Sequence, residues 1–183
     1  MFIRLDLPAI KRAKFSVSPD FIAPTVASIE FKFLAAHGIK ACFIDLDGTS
    51  VSKATHTVSP EIKQALKQAD LPIYIATNRP QNQELKNLQQ DLSAAGVIHP
   101  AGIYAKPTKR YYASALAVHN LEAHEVVMIG DRYLQDVFGA NRAGLYSLVV
   151  YKNGETIGLL DQLLSRLEAW LTRIFTGRYR NIG

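Results

Sequence analysis

Ala41-Cys42-Phe43-Ile44-Asp45-Leu46-Asp47-Gly48-Thr49 is the stretch that decides the fold. Four apolar residues end abruptly in two carboxylates one residue apart. A buried strand that stops on unpaired charge is costly unless something compensates it. Alternate side chains of an extended chain point the same way, so Asp45 and Asp47 are expected to reach one point just beyond the strand. Two like charges at one point need a cation or a shared proton. Hard oxygen ligands at a strand end suit Mg²⁺, which keeps several waters and accepts phosphate oxygens. Gly48 lets the backbone leave the strand sharply. A plain polar turn would use the same residues, so the rest of the chain has to decide between the two.

Three further apolar runs each end in a polar group. Pro72-Ile73-Tyr74-Ile75-Ala76 ends in Thr77-Asn78. Gly102-Ile103-Tyr104-Ala105 reads as a short strand ending in Lys106-Pro107. Val126-Val127-Met128-Ile129 ends in Gly130-Asp131, with Asp136 five residues later. In open α/β sheets the carboxyl edge of the strands is where ligands bind. A hydroxyl, an amine and further carboxylates at that edge, beside Asp45, suit phosphoryl transfer.

The chain here resembles the haloacid-dehalogenase (HAD) superfamily of aspartate-nucleophile phosphotransferases. Asp45 to Thr49 matches its first motif, Thr77 the second, Lys106 the third, and Gly130-Asp131 through Asp136 the fourth. Ser18-Pro19-Asp20-Phe21, Ile29, Leu34 and Gly38-Ile39-Lys40 look like the start of subfamily IIIA. Gly130-Asp131-Arg132 and Asn141 to Tyr146 are similar to the phosphatidylglycerophosphate phosphatase family within it. The likeness covers roughly residues 16 to 152. Gly48, where those relatives usually carry Asn, and Ser50, where Leu is common, depart from the pattern.

The resemblance implies catalytic roles for Asp45, Asp47, Thr77 and Lys106. Asp45 would be the nucleophile and Asp47 the general acid and base, with Thr77 and Lys106 contacting the transferring group. Lys109 is a sequence neighbour that competes for the lysine role. The implied metal group for Mg²⁺ is Asp45, Asp47 through its backbone carbonyl, and Asp131. Asp136 is added as the partner that orients Lys106 or a water on the metal. Asn78 and Arg132 are candidate substrate contacts. The expected reaction is hydrolysis of a phosphate monoester, with phosphatidylglycerophosphate in phospholipid biosynthesis as the expected substrate. A soluble or macromolecular phosphomonoester is the alternative, and a non-catalytic binding protein on the same fold is the third reading.

At 183 residues and 48% hydrophobic content, the chain suits one domain with a substantial core. A single cysteine excludes an intramolecular disulfide framework, and Cys42 reads as a small buried hydrophobe. The five histidines show no zinc-ligand spacing. No run approaches the ~20 apolar residues of a membrane span, and the start of the chain does not read as a secretory signal. A cytoplasmic protein, peripheral to a membrane in one reading, is the resulting expectation. The net charge of +5 is concentrated at the ends: Arg4, Lys11, Arg12 and Lys14, then Arg173, Arg178 and Arg180. Aromatic interleaving and nucleic-acid motifs are lacking, so no nucleic-acid partner is expected.

The expected architecture is a Rossmann-like α/β/α sandwich with a mostly parallel sheet and no cap domain. Residues 1–24 read as an irregular arm with three prolines. A helix is expected from Thr25 to about Gly38, another from Thr57 to Asp70 with Ser59 as cap, and a third from Gln81 to Ala95 closed by Gly96. Pro107 is expected to open the next helix, Leu134 to Ala143 to form a short one, and Tyr146 to Tyr151 to form the last strand. The intervals 50–76 and 78–105 hold a loop, a helix and a short strand, whereas an inserted lid domain starts near about 50 residues. Such an open site suits a phosphate presented by a large partner or a lipid headgroup. Within residues 153–183, Gly158 to Thr176 carries an apolar stripe at helical spacing, including Leu160, Leu164, Leu167, Leu171 and Phe175. That stripe suits either docking on the domain or in-plane contact with a membrane, followed by a basic tail.

Overall fold

The computed structural model describes residues 2–3, 17–100 and 103–151. Their centre is a seven-stranded sheet: β1 (Phe2–Ile3), β2 (Phe21–Ala23), β3 (Ala41–Ile44), β4 (Ile73–Ala76), β5 (Gly96–Ile98), β6 (Val126–Gly130) and β7 (Tyr146–Val150). The spatial order is β1-β2-β7-β6-β3-β4-β5. All neighbours run parallel except β1 against β2. Five helices accompany the strands: α1 (Phe31–Ala36), α2 (Pro60–Lys67), α3 (Gln83–Asp91), α4 (Lys109–His119) and α5 (Gly139–Ala143).

The order reverses beside β3. The chain moves from β3 outward to β4 and β5, then returns to place β6 on the other side of β3. Parallel strands diverge from such a switch point, and the crevice at their carboxyl ends receives ligands. Ile44 is level with Ile129, and Asp45 N–H still donates to the Ile129 carbonyl at 2.9 Å. Asp45 and Asp131 therefore emerge from neighbouring strands at nearly the same height.

Strand alternation sorts the core into two layers. Cys42 and Ile44 face Leu34, Ile62, Leu66, Leu85 and Leu88, which come from α1, α2 and α3. Ala41 and Phe43 face Tyr111, Tyr112 and Ala115 of α4, with Ala140 of α5. Cys42 is fully buried, and burial pushes its thiol up, which makes it a poor nucleophile. The result is the expected three-layer α/β/α arrangement, and no lid domain interrupts the described residues between Thr49 and Lys106.

Five local expectations are corrected. The supposed arm contains β2, whose three residues are buried and pair with Leu148 to Val150. The helix from Thr25 is broken. Ser28 Oγ accepts from Thr25 N–H at 3.1 Å and donates to the Thr25 carbonyl at 2.8 Å, closing a single 3₁₀ turn. Buried Ile29 is then extended, and α1 starts only at Phe31. The strand expected at 102–105 is instead β5: Gly96 opens it rather than ending α3, and Ile103 is 88% exposed. Ser93, at φ 50°, makes the turn after α3, and Ala95 N–H joins Ile73. Finally, residues 133–138 form a π-helical turn that runs into α5, and Thr108 rather than Pro107 caps α4. Ser59 does cap α2, accepting from Ile62 N–H.

No helix among the described residues is long and apolar enough to cross a membrane. The amphipathic stretch Gly158 to Thr176 and the basic tail lie outside the described residues.

Candidate active site

Four residues expected from the sequence, Asp45, Lys106, Asp131 and Asp136, meet at the switch point. Lys106 lies at their centre, its side chain 1% exposed. Its ammonium donates to Asp45 Oδ1 at 2.5 Å and to Asp136 Oδ1 at 2.8 Å. Burial alone would drive the ammonium toward the neutral amine, but Asp136 and Asp45 outweigh it and raise Lys106 well above its ordinary value. Burial likewise raises Asp136, to about 7, with the Lys106 charge opposing and Asp45 and Asp131 adding to the rise. Thr77, buried at the end of β4, accepts from Arg79 N–H at 3.0 Å. Lys109 is the first residue of α4, and Lys106 is the lysine that pairs with Asp45 and Asp136.

Local structure explains how Lys106 is held without a strand beneath it. The Asn78 side chain accepts from Lys106 N–H at 2.9 Å and donates to the Lys106 carbonyl at 3.2 Å. Asn78 thus positions the lysine backbone. Below it, Tyr111 donates to the Ile98 and Thr77 carbonyls at 3.0 and 3.3 Å.

Asp131 and Asp136 are placed by the turn after β6. Arg132 N–H donates to Asp136 Oδ2 at 3.1 Å, folding the π turn back over Gly130. A Cβ on Gly130 would lie 2.2 Å from Asp136 Oδ2, so only glycine fits there. Thr49 Oγ1 donates to Asp131 Oδ1 at 3.2 Å. Gly48 has φ +84°, and a Cβ there would lie 2.7 Å from Asp131 Oδ2.

Oxygen atoms of Asp45, Asp131 and Asp136 all lie within 4.8 Å of one another. Three hard carboxylates beside Gly48, where a Cβ would crowd Asp131, fit a small divalent cation such as Mg²⁺, and no soft ligand shares the cluster. The carboxylate of Asp47 is elsewhere. The strand ends at Ile44, the loop turns at Gly48, and Asp47 pairs with Arg79 through both oxygens: Nε to Oδ2 at 3.0 Å, and Nη2 to Oδ1. The expectation that the Asp45 and Asp47 side chains converge on one point is therefore corrected, because strand alternation does not continue through the loop. Arg132 keeps its guanidinium without an ionic partner among the described residues.

Sequence reasoning missed two cations. Arg79 follows Thr77-Asn78 and also donates from Nη1 to Glu84 Oε1 at 3.0 Å. Lys53 crosses the loop so that its Cε would lie 3.1 Å from a Cβ on Gly48. Neither ends an apolar run, the signal that marked the others.

A family model described as HAD-hydrolase-like matches residues 103–164, which include Lys106, Asp131 and Asp136. Two solved structures of uncharacterized proteins share the fold. One, from Corynebacterium glutamicum, has a TM-score of 0.52 and 19% identity and covers 80% of this chain and all of that one. The other, from Listeria monocytogenes, has a TM-score of 0.51 and 17% identity, covering 75% and 99%. The HAD-hydrolase-like match thus covers about a third of the chain, and the two solved structures share its fold. Among similar proteins, Probable phosphatase YqeG of Bacillus subtilis is 24% identical over 153 residues, covering 82% of this chain and 86% of that protein. Human phospholysine phosphohistidine inorganic pyrophosphate phosphatase is 44% identical over 50 residues, but these span 27% of this chain and only 18% of the relative.

Proposed function

We propose that this HAD-like protein is a Mg²⁺-dependent phosphatase that works through an aspartyl-phosphate on Asp45. The observation that carries the reading is a buried lysine held between two carboxylates, Asp45 and Asp136, at the carboxyl edge of the sheet. Its likeness to YqeG, a probable phosphatase by its name, supports the same reaction class.

In the first step an Asp45 oxygen attacks phosphorus and the bond to the leaving oxygen breaks. Asp47 gives that oxygen its proton. In the second, water attacks the phosphorus, Asp47 takes a proton from it, and the bond to Asp45 breaks. Lys106 holds Asp45 in place and offsets negative charge beside the transferring group, while the Thr77 hydroxyl donates to a phosphoryl oxygen. Asp136 orients Lys106. Asp45, Asp131 and the Asp47 backbone carbonyl would hold Mg²⁺, with Asp136 beside them, and the ion would offset repulsion between nucleophile and phosphate.

Phosphatidylglycerophosphate is the finer reading. The lidless edge and the resemblance of Gly130-Asp131-Arg132 and Asn141 to Tyr146 to the phosphatidylglycerophosphate phosphatase family support it. The partner would then be a phospholipid headgroup at a membrane face, met peripherally. The 50-residue match to a phospholysine, phosphohistidine and pyrophosphate phosphatase favours a second reading, a non-lipid phosphoryl substrate, soluble or macromolecular.

Phosphate release from phosphatidylglycerophosphate vesicles and from soluble phosphomonoesters, with Mg²⁺ and after chelation, tests both. Faster turnover on vesicles supports the lipid reading. Turnover confined to soluble esters rejects it, and undiminished turnover after exhaustive chelation rejects the metal assignment.

A further inference from the structure

A cavity of about 450 Å³, the size of a small-molecule site, lies beside the loop that follows the nucleophile. The loop after Gly48 forms one wall, and the 3₁₀ turn at Val26–Ser28 with the start of α2 forms the other. Six Ser and Thr residues line it, among them Ser50, Ser52, Thr55 and Thr57, together with Glu61. Two lining residues are apolar, and none is Lys, Arg or His. The cavity shares no residue with the carboxylate cluster of Asp45, Asp131 and Asp136.

That lining selects among ligand classes. An anion would meet Glu61 with no cation to offset it. A metal ion has no carboxylate group to hold it there, since Glu61 joins no such cluster among the described residues. An apolar ligand would strip water from hydroxyls and leave them without partners.

The hydroxyls keep capacity to spare. Ser52 Oγ accepts from Thr55 N–H at 3.4 Å and donates to nothing among the described residues. Thr55 and Thr57 share one hydroxyl bond at 2.7 Å, which leaves one of their two O–H groups to donate elsewhere. Glu61 is the complementary acceptor: its own N–H and the Ser59 hydroxyl hold its carboxyl below the usual range. Donors on the loop wall and an acceptor on the helix wall suit neighbouring hydroxyl groups, each of which both donates and accepts. Ser50 connects the cavity to the reacting residue, since its hydroxyl donates to the Asp45 carbonyl at 2.7 Å.

We propose that this cavity is a binding site for a neutral polyhydroxyl group, a sugar or a cyclic polyol. The site goes beyond the phosphatase reading and stands without it.

The probes are glucose, myo-inositol and glucuronate, titrated into the full chain at low salt by calorimetry and ligand-observed NMR. Glucose or myo-inositol is expected to bind saturably. Glucuronate, a glucose ring carrying a carboxylate, should bind about fivefold more weakly than glucose, the range of an exposed like-charge contact. Glu61→Gln, at an exposed position, should close that gap. Ser52→Ala removes one neutral hydrogen bond and should weaken the neutral probes by about fivefold. Thr55→Phe, on the loop surface, should block the cavity and abolish binding, and it stands in if Ser52→Ala does not fold.

Hydrolysis of nitrophenyl phosphate and of glucose 6-phosphate, each with added glucose, separates two sources of the group. Competitive inhibition confined to glucose 6-phosphate assigns the cavity to the alcohol of the substrate. Any other kinetic result with binding intact assigns it to a free molecule. Absent turnover with binding intact overturns the phosphatase reading and leaves the site standing. No saturable binding of either neutral probe, or binding that Ser52→Ala and Thr55→Phe both leave unchanged, overturns the proposal. So does glucuronate binding as tightly as glucose in the wild type.

Discussion

Two ion-pair groups start from the same stretch after β3, one at Asp45 and the other at Asp47, and are built on opposite principles. Lys106, Asp45 and Asp136 are sealed, with side chains 1%, 12% and 1% exposed. Arg79, Asp47 and Glu84 are partly open to water, with side chains 21%, 38% and 53% exposed. Charges buried together must stay together, since losing one partner strands the other in low dielectric. Charges at the surface are screened and replaceable. The inner group is therefore suited to fixed geometry at the reacting atom. The outer group is suited to trading partners when a ligand arrives.

Substitutions across the two groups should differ accordingly. Asp45→Asn has the largest expected effect: phosphate release falls to background while the thermal unfolding curve keeps its cooperative shape, because the amide is a poor nucleophile. Substantial turnover in that variant would remove the covalent mechanism. Asp47→Asn is expected to lower kcat by about 10²–10⁴-fold, with the smaller loss on a nitrophenyl ester whose leaving group needs no proton. Equal losses on alkyl and nitrophenyl esters would break its assignment as acid and base.

Lys106→Met tests the sealed group directly. Urea unfolding in EDTA should show a loss of about 3–5 kcal/mol, because Asp45 and Asp136 are left facing each other unbalanced. Mg²⁺ should recover more stability in this variant than it gives the wild type. A loss no larger than that of a surface substitution would mean that the inner group is not sealed. Glu84→Gln, at the exposed end of the outer group, is expected to change stability by less than about 1 kcal/mol. A shift of several kcal/mol in the same urea experiment would erase the contrast between the two groups.

What could be read from the sequence follows from the same contrast. Asp45, Thr77, Asp131 and, at one remove, Asp136 follow runs such as Ala41 to Ile44 and Val126 to Ile129, and burial leaves a clear trace in composition. The three-layer fold came with them, because those runs alternate with capped helices. Arg79 and Lys53 left no such trace, since charged residues in loops are ordinary. The strand before Lys106 was misplaced for another reason. Gly96-Val97-Ile98 and Gly102 to Ala105 are equally apolar, and only pairing with Tyr74 to Ala76 chooses between them. Val26 to Ile29 likewise has helical composition, and the local Thr25–Ser28 hydrogen bonds override it. The Arg79 fork on Asp47 depends on how the loop turns at Gly48, which no strand periodicity encodes.

The Asn78 clamp bears on how such a site can diversify. Two hydrogen bonds peg the Lys106 peptide to the end of β4, so the lysine takes its height from that strand and not from the 99–105 stretch that leads to it. That stretch can lengthen, shorten or change sequence without moving the ammonium. It is a natural point for insertion, and a chain that acquired a lid there would keep its chemistry from the first generation. Replacing Asn78 would withdraw that freedom before it touched the reaction itself.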